Sequence, residues 1–225
     1  AFSPVSHMNS VVNTSEMRDA YNEVLPKLSA YHTERGQNPR MFKAYDDIRN
    51  SPSFVQLDQA QKKTILNALR DFKLSGIDLP EAEKKRFAEI SSRLSSLSSQ
   101  FSDNVLDATM AWQKHIEDVS ELAGLPDSAL AQARQLAEQN DKTGYMFTLD
   151  FPSYYPIVTY ANDSSLRREF YEAFTTRASD QGPGAGQWDN TKNIEEIMSL
   201  RQEMAALIGM KNYAEVSLAP KMARD

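Results

Sequence analysis

Three histidines, His7, His32 and His115, are the only imidazoles of the chain, and the chain holds no cysteine. A helical zinc site needs two histidines four residues apart, so that both imidazoles reach one ion. None of the three has another histidine nearby. His115 comes nearest to a ligand cluster because a Glu-Asp pair follows it at 117–118, but we interpret it as a solvated helix end. The sequence therefore predicts no catalytic metal site within this chain.

Pairs of acidic residues are the next candidates, since two nearby carboxylates can act as general acid and general base. Adjacent side chains on a helix point about 100° apart, so neighbouring carboxylates do not converge on one substrate atom. Glu81 also has Lys84 and Lys85 at the spacing of helical ion pairs. We therefore interpret the pairs as solvated helix faces: Asp46 with Asp47, Glu81 with Glu83, and Glu195 with Glu196.

A glycine-rich segment at 177–190 combines several kinds of ligand-contacting side chain. Its core at 182–186 (GPGAG) lacks both the preceding strand and the following Gly-Lys-Ser/Thr of a phosphate-binding loop, so we expect no nucleotide there. Glycines beside a cation, a carboxylate, an amide and an indole are typical of a mobile loop that contacts a ligand; a plain ordered turn is the alternative. The candidates for contact with a substrate are Arg177, Asp180, Gln181, Gly182, Gly184 and Trp188.

The composition excludes several classes of protein. The chain has 225 residues, of which 40% are hydrophobic and 25% charged, and its net charge is −6. Its basic residues are scattered, so we expect no nucleic-acid partner. No apolar run approaches the roughly 20 residues of a membrane span, so we expect no membrane partner. Without cysteine there is no disulfide, which fits the reducing cytoplasm, where we expect the protein to act.

One long helix is predicted to organise the chain, from Leu79 to Ile116. Its apolar residues recur every three or four positions, which is one stripe of a helix, and Pro80 suits the first turn. Serines between 91 and 99 form a small polar face, which favours the close approach of a neighbouring helix. The apolar stripe consists of Phe87, Ile90, Leu94, Leu97, Phe101, Val105, Ala108 and Trp112.

Periodicity and capping residues predict a mainly α fold with a minor β element. We expect a kink at Pro26 within the first predicted helix. The single predicted strand is 145–149. At 154–161, where the residues are aromatic and β-branched, a strand competes with a helix, and we favour the helix. The predicted helices cover about 16–36, 38–50, 58–75, 125–140, 154–161, 163–176 and 191–208, with a last short helix from Asn212.

Four stretches carry a family resemblance: 74–80 (LSGIDLP), 101–109 (FSDNVLDAT), 177–183 (RASDQGP) and 207–214 (LIGMKNYA), the last followed by KMA at 221–223. Together they resemble the thimet oligopeptidase family of zinc metallopeptidases, and within it the bacterial oligopeptidase A branch. The similarity runs in register along the whole chain. It implies a neurolysin/thimet-oligopeptidase-like, almost wholly helical enzyme of two lobes, with a deep channel that admits short unstructured peptides.

In that family the zinc ion is held by a His-Glu-x-x-His helix and a further glutamate. This chain contains no His-Glu dipeptide. The resemblance therefore implies that residues 1–225 are part of the N-terminal helical lobe, that the catalytic zinc-binding half is absent, and that the chain alone binds no zinc and is inactive. No catalytic residue or metal ligand is assigned here.

We therefore expect a channel-wall portion of a cytoplasmic zinc oligopeptidase, with short peptides and the missing catalytic lobe as partners. The alternative is a stand-alone helical binding or scaffold module. The helix at 191–208 is apolar on much of its surface and expects neighbours on more than one side. We therefore expect self-association of the chain through this helix, or fraying of the segment after Gly209.

Overall fold

The computed structural model describes residues 2–223 and is mainly α, which confirms the predicted fold class. Ala1, Arg224 and Asp225, which belong to the predicted domain range, lie outside the described residues. No helix of the described part is long and apolar enough to cross a membrane. The helices are α1 (Ser3–Val11), α2 (Ser15–Gly36), α3 (Pro39–Asn50), α4 (Gln59–Leu74), α5 (Glu81–Ala111), α6 (Asp127–Gln139), α7 (Phe151–Tyr160), α8 (Ser164–Thr175), α9 (Thr191–Leu207) and α10 (Tyr213–Leu218).

A two-stranded antiparallel sheet and two 3-10 helices complete the fold. Strand β1 (Gln113–Ile116) pairs with β2 (Tyr145–Thr148), and Ile116 lies opposite Tyr145 in the register. The 3-10 helices are Pro52–Gln56 and Val119–Leu122. The chain divides into two compact units: a terminal unit, described up to Ser99 and again from Glu195, and a middle unit from Gln100 to Ile194.

The terminal unit has its core where α5 and α9 meet. Phe87, Ile90 and Leu97 of α5 are buried in one cluster with Ile197, Leu200 and Met204 of α9. The first half of the predicted α5 stripe therefore points inward. Since burial of each such side chain removes apolar surface from water, this cluster stabilises the contact between the two helices.

Helix α4 shows how closely a local pattern can specify an element. Asp58 accepts a hydrogen bond from the Gln61 backbone, and the Gln61 side chain accepts one from the Asp58 backbone, which completes a capping box. Ile65, Leu69 and Phe72 are buried, as their spacing predicts. The helix ends at Leu74.

The first three helices bury less than their patterns imply. Neither α1, which was not predicted, nor α2 or α3 has a buried residue. Helix α2 is continuous through Pro26, and its expected kink stays a prediction. Ser99 of α5 donates a hydrogen bond to Asn22 of α2 at 2.9 Å, so one serine of the small polar face does contact a neighbouring helix.

The long helix ends earlier than predicted, at Ala111, and Gln113–Ile116 is a strand. The interpretation of His115 as a solvated helix end was therefore wrong. His115 is half-buried in β1, and its Nε2 hydrogen-bonds the Thr143 carbonyl oxygen. Pairing with β2 buries Ile116, and this tertiary contact outweighs the local helical pattern.

The middle unit has its own core between the sheet and α6, α7 and α8. Trp112 packs edge-on against Phe170 with ring centroids 4.8 Å apart, and Phe147 meets the same ring at 6.0 Å. Phe147 and Phe170 are almost completely buried. This core places the end of α5 beside α8, and thereby beside the loop that follows α8.

Candidate functional site

The predicted loop connects α8 to α9 and is tied to itself by backbone hydrogen bonds. The Gly186 amide donates to the Ser179 carbonyl oxygen at 3.0 Å, and the Asn190 amide donates to the Ala178 carbonyl oxygen at 3.0 Å. Ala178 itself has a φ of 52°, an uncommon conformation for a residue with a side chain. The two ends of the loop are therefore held close together.

Asn190 fixes the C-terminal end of the loop. Its side chain is 1% exposed, and its amide nitrogen donates to the Phe101 carbonyl oxygen at 3.1 Å. Its amide oxygen accepts from Asn104 and from Asn193, each at 2.9 Å. A buried amide with its partners supplied costs little, whereas the same group without them would cost about 1–3 kcal/mol. Asn190 thus anchors the loop to α5.

Arg177 fixes the N-terminal end and brings a positive charge to the site. Its Nε donates to the Phe174 carbonyl oxygen at 2.8 Å, and its Nη1 donates to Thr109 Oγ1 at 2.8 Å. The guanidinium carbon lies 3.6 Å from the centroid of the Phe174 ring, which stacks in turn on Tyr154. Burial lowers the pKa of the Arg177 guanidinium, while Tyr154 and Asp150 act in the opposite direction.

A cavity of about 100 Å³ within the middle unit has Arg177 among its lining residues. Three of the predicted site residues, Arg177, Gly184 and Trp188, line it. Its other walls come from α5, α8, the loop and the residue after β2: Ala108, Ala111, Trp112, Leu149, Ala173, Thr176, Ala178, Pro183 and Gln187. The cavity therefore joins one cation to two indole rings and several small apolar side chains.

The other three predicted site residues do not line this cavity. Asp180 and Gln181 are exposed, and the backbone N–H of Gln181 donates to Ser179 Oγ at 3.1 Å in a local turn. Gly182 has a φ of 72°, and a Cβ at that position would collide with Thr176 Oγ1. Gly182 is thus required because the loop backbone passes close to the Thr176 side chain at this position. Whether any of the six candidates contacts a substrate stays a prediction.

Two residues of the site were not among the sequence candidates. Thr109 accepts the hydrogen bond from Arg177, and Trp112 lines the cavity. Trp112 was assigned to the apolar stripe of α5, and at helical spacing an indole is indistinguishable from a core residue. Thr109 lies 68 positions before Arg177, so only the tertiary structure reveals their contact.

A second cleft, of about 380 Å³, lies between α6, β2 and the start of α7. Polar residues such as Gln132, Gln135 and Gln139 line it together with buried Met146 and Phe147. No sequence pattern indicated this cleft. In the part of the chain that the structure describes, no three His, Asp or Glu side chains are grouped so as to hold a metal ion.

Two family models match the chain. The N-terminal domain of neurolysin/thimet oligopeptidase matches residues 1–85, and peptidase family M3 matches residues 157–225. The two models match opposite ends of the chain, and both agree with the resemblance that the four sequence stretches carry.

Individual relatives match the chain from end to end. Oligopeptidase A of Escherichia coli (strain K12) is 55% identical over 224 residues, which are 100% of this chain and 33% of that protein. The probable cytosolic oligopeptidase A of Arabidopsis thaliana is 38% identical, covering 97% of this chain and 32% of the relative. Saccharolysin of Saccharomyces cerevisiae is 24% identical, covering 98% and 30%.

The predicted resemblance is therefore confirmed: the two family models match the two ends of the chain, and the chain is similar over its whole length to oligopeptidase A. The part of oligopeptidase A that it matches is the N-terminal third. The chain spans about a third of the length of the curated relatives that it matches.

Proposed function

We propose that this chain is the N-terminal part of an oligopeptidase that hydrolyses short unstructured peptides, and that it forms one wall of the channel that admits them. The observation that carries this proposal is the 55% identity to oligopeptidase A over the full length of the chain. At that identity the two sequences share their fold, and the relative is named as a peptidase. Because the chain covers 33% of the relative, the activity in this proposal belongs to a longer protein.

Zinc and a cytoplasmic location are parts of the same proposal. The described residues provide no cluster that could hold the ion, so this proposal assigns zinc to the other lobe of the longer protein. Bound there, the ion would activate water for attack on a peptide bond. The cytoplasmic location is supported by the Arabidopsis thaliana relative, which is named a probable cytosolic oligopeptidase A, and by the lack of cysteine.

Within this proposal, the loop from Arg177 to Trp188 is the part of the chain that contacts the peptide. The support is its chemistry: one cation and two indoles line the same cavity. Aromatic rings and arginine are the side chains that most often dominate recognition sites. The residues proposed for this contact are those of the sequence analysis: Arg177, Asp180, Gln181, Gly182, Gly184 and Trp188.

The experiment compares the 225-residue chain with a full-length protein that contains it. Both are washed with a chelator, supplied with zinc, and given an unstructured peptide of about ten residues and a folded protein. We expect the full-length protein to cleave only the peptide, and only with zinc, and the chain alone to cleave neither. Peptide cleavage by the chain alone, or stoichiometric zinc on it that is lost with His115→Ala, would overturn the proposal.

A further inference from the structure

We propose that the cavity beside Arg177 is a subsite for a peptide carboxylate, with Arg177 as its cation and the two tryptophans as its walls. The inference deepens the proposed function and rests on it in one respect, because it takes the ligand to be a peptide. The ligand group is named by its chemistry: a planar anion with two oxygens, small enough to enter the cavity.

The guanidinium retains donors for such a ligand. Arginine has five N–H groups, and Arg177 donates one hydrogen bond to the Phe174 carbonyl and one to Thr109. Its Nη2 has no hydrogen-bond partner among residues 2–223, and no carboxylate of that range pairs with the group. The remaining hydrogens lie on Nη1 and Nη2, the two nitrogens that can donate side by side to a carboxylate.

Arg177 is a half-buried cation with no carboxylate of residues 2–223 at ion-pair distance, and among such cations it is the one that lines the cavity of about 100 Å³. By contrast, the exposed Arg86 and Arg93 and the half-buried Lys114 each pair with a glutamate of another element. Burial lowers the pKa of Arg177 although Tyr154 and Asp150 act in the opposite direction, so the surrounding protein gives this charge only partial compensation. An anion bound in the cavity would supply that compensation.

The position of the guanidinium is fixed before any ligand arrives. The Thr109 hydroxyl and the Phe174 carbonyl hold two of its nitrogens, and the Phe174 ring supports its face. A cation that is already oriented loses little side-chain entropy on binding. The indoles of Trp112 and Trp188 reduce the local dielectric constant, so a charge-assisted hydrogen bond there is stronger than at the open surface.

The cavity volume limits the ligand to a small group. A water molecule occupies about 30 Å³ of liquid, so the volume of about 100 Å³ corresponds to a few waters or one carboxyl group. Either the C-terminal carboxylate of a peptide or the end of a glutamate side chain satisfies this limit. The experiment below distinguishes these two sources.

The chain offers a direct spectroscopic test because it has two tryptophans and both line the cavity. Intrinsic tryptophan fluorescence of the 225-residue chain is titrated with N-acetyl-Ala-Ala-Ala, with its C-terminal amide, and with N-acetyl-Ala-Glu-Ala-amide. We expect a saturable change with the free acid or with the glutamate peptide, and at least tenfold weaker binding of the uncharged amide. Equal responses to all three peptides, or no response to any, would overturn the subsite.

Substitutions then assign the effect to Arg177. Arg177→Gln is expected to weaken binding of the acid by at least tenfold, and Arg177→Lys, which keeps the charge but loses the planar fork, by less. Arg167→Gln is the control, because Arg167 is also half-buried in the middle unit but donates to the carbonyls of Ala161 and Asn162 and lines neither cavity described above. Unchanged binding in Arg177→Gln would contradict the proposal.

Two further outcomes remain distinguishable. If circular dichroism shows that Arg177→Gln is unfolded, the comparison of acid and amide on the unaltered chain decides the question alone. If the full-length protein cleaves no peptide while the chain still prefers the acid, the proposed function fails and the subsite stands. Cleavage by the full-length protein without any preference of the chain for the acid refutes the subsite only.

Discussion

Gly182 and Gly184 lie two positions apart in one loop but have different surroundings. Gly182 has a positive φ, and a Cβ there would meet Thr176, whereas a Cβ on Gly184 would have no atom within 4 Å. We expect Gly182→Ala to lower the free energy of unfolding by about 1–3 kcal/mol through strain. Gly184→Ala should leave it within about 1 kcal/mol, with a small gain from the less flexible unfolded chain.

Urea denaturation of the two variants, followed by circular dichroism, measures this difference. The variants serve as controls for each other, since both add one methyl group to the same loop. An equal loss of stability in both would show that the loop relaxes around Gly182, and that the close passage beside Thr176 is not required for folding.

At the level of single residues, the sequence revealed types of side chain but not their partners. Arg177, Gly184 and Trp188 were selected from one segment of mixed chemistry, and they do line one cavity. Asn190, which is buried and anchors the loop, looks like an ordinary residue before a helix. Its partners on α5 lie 86 and 89 positions away, and no local pattern encodes such a contact.

Helices α5 and α9 are joined by two ion pairs beside their apolar contact. Arg86 Nε and Glu203 Oε1 are 2.6 Å apart, as are Arg93 Nε and Glu196 Oε1, and each pair has a second bond from Nη2. Hydrogen bonding to these arginines holds the pKa of Glu203 and of Glu196 below the ordinary value. Both pairs are largely exposed, so salt screens them.

The lowered pKa values predict how stability depends on pH. These glutamates bind protons more weakly in the folded state than in the unfolded state. Their contribution to the free energy of unfolding is therefore fully present at neutral pH. This stabilising contribution begins to decrease when the pH falls to about 4.3, the ordinary pKa of glutamate. It is lost as the pH falls further, through the lower pKa of the folded state.

We expect a Glu196→Gln, Glu203→Gln double variant to lose less stability than the unaltered chain between pH 6 and pH 3. Urea midpoints at each pH measure the effect, and Glu195→Gln, which changes a neighbouring exposed carboxylate, is the control. If the double variant and the unaltered chain show parallel pH profiles, the ion pairs do not stabilise the contact between α5 and α9.

Among the elements, α4 and α5 show where sequence prediction succeeds and where it stops. The capping box and the inward positions of α4 are local, so its pattern specified both its start and its buried face. The end of α5 is not determined by local sequence. Residues 113–116 continue a helical pattern, but their pairing with β2, about 30 positions later, makes them a strand. Helix α1 was missed because its short sequence has no strong cap or apolar stripe.

Over the whole molecule, the family and the mainly α fold were predictable, because they rest on many residues at once. The four matching stretches extend from residue 74 to residue 223, and each adds evidence independently. The division into a terminal and a middle unit was not predicted, because α5 and α9 each begin in one unit and end in the other. A helix shared by two units has no linker or change of composition at the boundary.

Helix α9 exposes apolar side chains on the face away from α5, and we therefore expect self-association of the 225-residue chain. Ile197, Leu200 and Met204 are buried against α5, whereas Ile194 and Met198 are 48% and 60% exposed. Exposed apolar side chains one turn apart favour contact with a further apolar surface, and in a pure solution of this chain that surface is a second copy.

Sedimentation velocity at several concentrations tests this prediction on the 225-residue chain. We expect a weight-average sedimentation coefficient that rises with concentration, and a smaller rise in Met198→Glu. Ser199→Glu, which adds the same charge at the next exposed position, is the control.

Hydrogen exchange across residues 191–225 tests the other expected consequence, fraying after Gly209. A strictly monomeric chain with strong protection throughout that segment would show that α9 needs no further neighbour, because burial of one face against α5 is then sufficient.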